Sequence, residues 1–308
     1  MAEKRIALWK RILLYAGFSV VALFAAFFIT FPYDALSERL KLEADNAGYN
    51  LKIGSMGPGF FALNANELFI AKKMAPTEEK PPEALKIDKL SVGPTLFPPG
   101  LGVSAKLLGG ALSVRVSALG GSVHVDADDL DLSKGNLKGF SGIDLAGKVD
   151  VKLDLSIPKT AVGASAPEPD LSQASGAFSL SARGLTVNGG TVSVPLPMYG
   201  PDPTPLDLPK IAFGDLGGHV KFEKGAGTVD EFKSHSNDLE IAVSGTLKLA
   251  KKVEYSDSNL EVRFKPDPDF QKRLGLIGSA LSMVGADPKD PTWRMGRLTG
   301  LLGKPNFR

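Results

Sequence analysis

Residues 148–157 read KVDVKLDLSI, and this alternation decides the fold. Val149, Val151, Leu153, Leu155 and Ile157 lie on one side of an extended chain, and Lys148, Asp150, Lys152, Asp154 and Ser156 on the other. A period of two predicts a strand with one apolar face and one wet face. Outward from it the pattern recurs. Leu112, Val114 and Val116 alternate with Ser113 and Arg115, and Val123, Val125 and Ala127 with His124, Asp126 and Asp128. Leu239, Ile241, Val243, Leu247 and Leu249 repeat it downstream, as do Leu260, Val262 and Phe264. One-sided alternation implies antiparallel pairing, because parallel strands are covered on both faces and read as continuous apolar runs. The fold class expected is mainly β: a long, curved, largely antiparallel sheet, open or sandwich-like.

Gly109-Gly110, Gly120-Gly121, Gly135-Asn136, Asn188-Gly189-Gly190 and Gly217-Gly218 read as turns between strands. Three polar or Pro-rich stretches interrupt the pattern, at 74–82, 158–175 and 195–209. The last has six prolines and cannot be a central strand. The second and third divide the β region into sub-sheets at 49–157 and 176–265, or else are long loops on one sheet. Near the carboxyl end Phe270, Leu274, Ile277, Leu281 and Val284 return to helical spacing. This predicts a helix over 269–285, capped by Asp267 or Asp269, that covers part of the sheet. One more strand fits near 293–302.

Residues 12–31, ILLYAGFSVVALFAAFFITF, carry no charge and follow Lys4, Arg5, Lys10 and Arg11. Twenty apolar residues are enough to cross a bilayer. With the positive-inside rule this predicts a single-pass anchor, a cytoplasmic basic tail over 1–11, and a periplasmic body. A short helix, Ala35 to Ala47, capped by Asp34 and ended by Gly48, follows in 32–48. The remaining chain, 49–308, is the β domain.

Composition narrows the function classes. The chain has 308 residues and no Cys, which excludes disulfides, thiolate metal sites and a Cys nucleophile. Four of its 36 basic and one of its 34 acidic residues precede residue 32, leaving 32 against 33. That balance argues against nucleic-acid binding. His124 shares a strand face with Asp126 and Asp128, which sketches a weak metal site, but an exposed strand face produces the same pattern. DADDLDL lacks the Gly and Glu of a calcium loop. Ser244 lies mid-strand without a nearby base. No catalytic, cofactor-binding or metal-binding residue is assigned, and the reading is non-enzymatic. Phe60, Phe61 and Phe69 read as core, with a lipid-contacting rim as the lesser reading.

Phe31-Pro32-Tyr33-Asp34-Ala35-Leu36 with Arg39-Leu40, SNDLEIAVSGTLKL with SNLEVRF at 236–264, and Gly300-Leu301-Leu302-Gly303-Lys304-Pro305-Asn306-Phe307 resemble segments of the type II secretion system protein N family (GspN). That resemblance implies an inner-membrane component of the secretion apparatus, with the bilayer (through residues 12–31) and other secretion components as partners. The strands are also similar in style to AsmA-like proteins. This second resemblance implies lipid handling by an apolar groove, with lipid as the partner.

Overall fold

The computed structural model describes residues 14–19, 22, 23, 26, 30–59, 61–73, 84–117, 121–141, 143–158, 170–194, 204–275, 278, 281, 284–303 and 305–307. Their strands form one antiparallel sheet of 15 members. The first six are β1 (Tyr49–Pro58), β2 (Leu63–Lys72), β3 (Leu85–Leu96), β4 (Pro99–Leu107), β5 (Gly110–Ser117) and β6 (Ser122–Asp131). Next come β7 (Ile143–Ser156), β8 (Ser175–Val194), β9 (Thr204–Leu208), β10 (Ile211–Glu223) and β11 (Ala226–His235). The last are β12 (Leu239–Lys248), β13 (Asp257–Pro266), β14 (Arg294–Leu301) and β15 (Asn306–Phe307). Each strand pairs with its neighbour in sequence, except that β10 returns to β8 and β9 hangs on the outer end of β8. Pro205 therefore sits on an off-path strand, the sheet position where proline is tolerated.

Some of the glycines read as turns do form them. Leu108 (φ 56°) and Gly109 (φ 75°) make a two-residue hairpin between β4 and β5. Lys224 (φ 49°) and Gly225 (φ 77°) do the same between β10 and β11. Asn188-Gly189-Gly190 and Gly217-Gly218 are corrected: both lie inside strands, β8 and β10. Gly218 makes room for an aromatic ring, because a Cβ there would stand 2.5 Å from Cγ of Phe232 on the next strand.

The helices are short. Helix α1 (Tyr33–Asn46) runs up to β1 and has no buried residue. Pro32, not Asp34, takes its N-cap position, and Gly48 (φ 86°) ends it. Helix α2 (Lys138–Ser141) lies against both β2 and β7. In a flat sheet those strands would stand about 24 Å apart, and four helical residues span only about 6 Å. The sheet therefore curls there. It curls around its apolar face, because Leu85, Leu108 and Leu137 converge on Gly135 just before α2. Helix α3 (Pro268–Arg273) is capped by Asp267, whose carboxylate accepts from the N–H groups of Asp269 and Phe270. It ends at Arg273 with Gly275 (φ 56°) just beyond, while Gly278 and Leu281, inside the predicted span, are helical again and Leu281 packs on the same cluster as Phe270. Parts of the stretch from 276 to 283 lie outside the described residues.

The membrane anchor is also corrected. A span needs about 20 apolar helical residues, and among the described residues no helix is long and apolar enough to cross a membrane. Residues 1–11 and part of 12–31 lie outside the described residues. The single-pass inner-membrane topology, with its cytoplasmic tail and periplasmic body, rested on that helix and falls with it.

Phe232 packing over Gly218 gives a stability prediction. Gly218→Val should destabilise the fold by about 1–3 kcal/mol, as overpacked cores do. Gly57→Ala, at a site with no atom within 4 Å, should change it little. Urea denaturation of both variants checks this.

Candidate functional site

The register lines up apolar side chains across the whole sheet. One row runs Pro58, Leu63, Val92, Val103, Val114 and Val125 over β1 to β6. It continues as Leu153, Phe178, Val220 and Val229 over β7, β8, β10 and β11. Gly245, Leu260, Leu298 and Phe307 complete it. No member is charged. A parallel row, beginning Met56, Ala65, Leu90, Ala105, Leu112 and Ala127, repeats this beside it. At strand spacings of about 4.8 Å the first row traces a path of about 60 Å along the sheet.

The two halves of this face differ in cover. Over β7 to β13 it is covered more fully, although Leu153, Phe178 and Leu260 of the row stay half-buried against the clusters. Leu155, Ile157, Ala174, Val220, Phe222, Val229 and Leu249 form a buried cluster at one end of the strands. Phe270 and Leu274, from α3 and the residue after it, close the other end over Val187 and Ile211. Val220 keeps 3% of its surface exposed. Over β1 to β6 the same row stays half-buried: Leu63, Val92, Val103, Val114 and Val125 are all neither buried nor fully exposed. Beside it Ala65, Ala105 and Ala127 of the parallel row are buried, as are Leu68 and Leu108, so this half is covered toward Leu108 and left partly open along the first row. A half-sealed apolar face on a curled sheet is a trough.

The opposite face is polar and largely self-satisfied. Asn64, Ser91, Ser104, Ser113, Asp126 and Lys152 form a row there. Lys148 donates to Asp129 at 3.0 Å, and Arg183 bridges Asp129 and Asp150 at 3.1 and 3.2 Å. The hydrogen bond from Lys148 and the nearby Arg183 hold the Asp129 carboxyl below the usual carboxylate range. Buried Asp287 accepts from the backbone N–H of Lys289 at 2.8 Å and from Arg263 Nε at 2.6 Å. Arg263 in turn lies over the Trp293 ring. The Lys289 N–H, followed by Arg263, pulls the Asp287 carboxyl below its ordinary value.

The residues weighed for chemistry are dispersed. His124 is hydrogen-bonded to Asp154 on the neighbouring strand, while Asp126 pairs across to Lys152. No group of His, Asp and Glu among the described residues is placed to hold a metal ion. Ser244 and His219 border one polar depression, but His219 Nε2 lies 3.2 Å from Asp230, and no hydrogen bond joins it to Ser244 among the described residues. A cavity of 1230 Å³ lies between α1 and the β1–β2 pair. Its lining mixes Glu38, Arg39, Asp45 and Lys72 with Leu42 and Phe69, so its charge selects no ligand class. Phe69 is 36% exposed there, so it is no core residue, and Phe60 lies outside the described residues. The trough's row was legible as alternation, but the register that joins the strands was not.

No protein-family model matches the chain, and no curated protein or solved structure is similar to it. Nothing ties it to the GspN or AsmA families. The short motifs have local explanations. Pro32 opens α1, Ser236 and Asp238 form the turn before β12, and 300–307 closes β14 and begins β15. The reading as an inner-membrane secretion component, with secretion partners and a bilayer held through 12–31, loses both its family and its anchor.

Asp287 gives a pH prediction. Its folded value is depressed, so its contribution is complete above the unfolded value of about 3.9 and is lost as pH falls through the folded value. Asp287→Asn should lower the urea midpoint at pH 7 and leave a smaller gap at pH 3, below the unfolded value. An equal gap at both pH values contradicts this.

Proposed function

We propose that the protein is a non-enzymatic lipid-handling protein that holds acyl chains in the trough over β1 to β6. The observation that carries this reading is the uncharged row Leu63, Val92, Val103, Val114 and Val125, half-buried along its whole length. An apolar side chain left partly in water gains about 25 cal/mol for each further Å² covered. Six strands of such side chains present a continuous strip, and the complementary ligand is long, apolar and flexible.

The energetics suit exchange more than storage. Burying an acyl chain from water is worth about 0.8 kcal/mol per CH₂. A chain leaving a bilayer loses that same term, so transfer from membrane to trough is close to balanced. The stretch over β1 to β6 is about 24 Å long, five strand spacings, against the roughly 15 Å that one leaflet's acyl chains span in a bilayer core of about 30 Å. The trough has length for one chain.

The test uses full-length protein purified without detergent. Mass spectrometry of the extract should find bound lipid in the wild type. Val114→Asp with Val125→Asp should cut it at least tenfold, while Ser113→Asp on the wet face should leave it unchanged. Circular dichroism confirms that each variant keeps its strands. Wild-type protein that carries no lipid and binds no fluorescent fatty acid contradicts the reading.

A further inference from the structure

The β1–β2, β3–β4 and β5–β6 connections leave the sheet at one end, since the strands alternate in direction. Each is free of charge over a long stretch. No Asp, Glu, Lys or Arg occurs at 53–66, 90–105 or 116–123. Apolar side chains on these tips stand in water: Phe97 is 93% exposed, Leu96 76%, Phe61 52%, Leu101 51% and Val116 44%. Exposed apolar clusters of this kind mark interaction sites. The later connections at the same end differ. They carry Asp170, Lys224, Lys251 and Lys252, and the apolar face below them is closed by the cluster around Ile157 and Phe222.

We infer that these three tips dock on a lipid membrane and that acyl chains enter the trough between them. This rests on the lipid reading of the trough. Three observations favour a bilayer as the occupant. First, the rim is continuous with the trough: Pro94, Leu101, Val116 and Val123 form the row at its mouth, next to the row ending in Val125. Second, protein interfaces surround an apolar centre with a polar rim, whereas here the tips are the outermost residues and carry no charge for a protein partner to match. Third, the tip between β3 and β4, which carries the most exposed side chains, is a hairpin paired up to its turn at Leu96 and Pro99, so it can enter an interfacial layer with few unpaired backbone groups. The opposite end of the same strands is blocked where Leu85, Leu108 and Leu137 meet. A lipid then enters at the membrane-facing end.

The chain has no Cys, so Phe97→Cys creates a single labelling site for the environment-sensitive dye NBD. Mixed with phosphatidylcholine vesicles, label at 97 should shift to the blue and be quenched by nitroxide lipids labelled near the headgroup. The shift should persist in high salt, because the tips are uncharged. Label at Lys224→Cys, on the same end, should stay in water. A dye at 97 that remains in water overturns the docking, even if purified protein carries lipid, in which case the trough reading survives alone. A shift at 97 in protein without bound lipid supports the docking and defeats the trough. A shift that depends on protein concentration and needs no vesicles overturns the proposal in favour of a second copy of this chain.

Discussion

A β-sheet with one apolar face must cover that face, and this constraint governs the molecule. The wet face satisfies itself through cross-strand pairs such as Lys148–Asp129 and Arg183–Asp150. The apolar face has no such route. Over β7 to β13 short segments cover it: the turn carrying Leu171 and Ala174 at one end, Phe270 and Leu274 at the other. Over β1 to β6 the covering elements are fewer, and α2 with Gly135 closes only one end. The sheet answers by curling, which brings half-buried side chains toward one another but does not remove them from water.

The asymmetry between the halves links fold to function. A buried cluster such as that around Val220 and Val229 is a core, and nothing can enter it without unfolding. The row from Leu63 to Val125 has the same chemistry with less cover. Its ligand would complete that cover. The exposed apolar tips point in the same direction, since they lie beside the half-buried row from Leu63 to Val125.

The strands were legible because alternation is a local signal. KVDVKLDLSI needs no partner to show which side is apolar. Glycine was less legible: Gly217-Gly218 looks like a turn, yet it is a flat place for the Phe232 ring, set by a residue 14 positions away in sequence. Lys224-Gly225, a true hairpin, carried no paired-glycine signal. The helix over 269–285 kept its apolar stripe in sequence, but Gly275 at positive φ interrupts it soon after α3. The trough itself was out of reach. Alternation looks the same whether a face is sealed or open, and only the packing of distant segments separates the two. The apolar run at 12–31 and the short family-like motifs misled for a related reason, since composition and brief matches carry no packing.

The most direct measurement is methyl NMR of the full chain with a nitroxide-labelled fatty acid. The valines report the two halves separately within one row. The account predicts strong broadening of Val103, Val114 and Val125 with little change at Val220 and Val229. Broadening confined to the more fully covered half, or no broadening on this face, would contradict it.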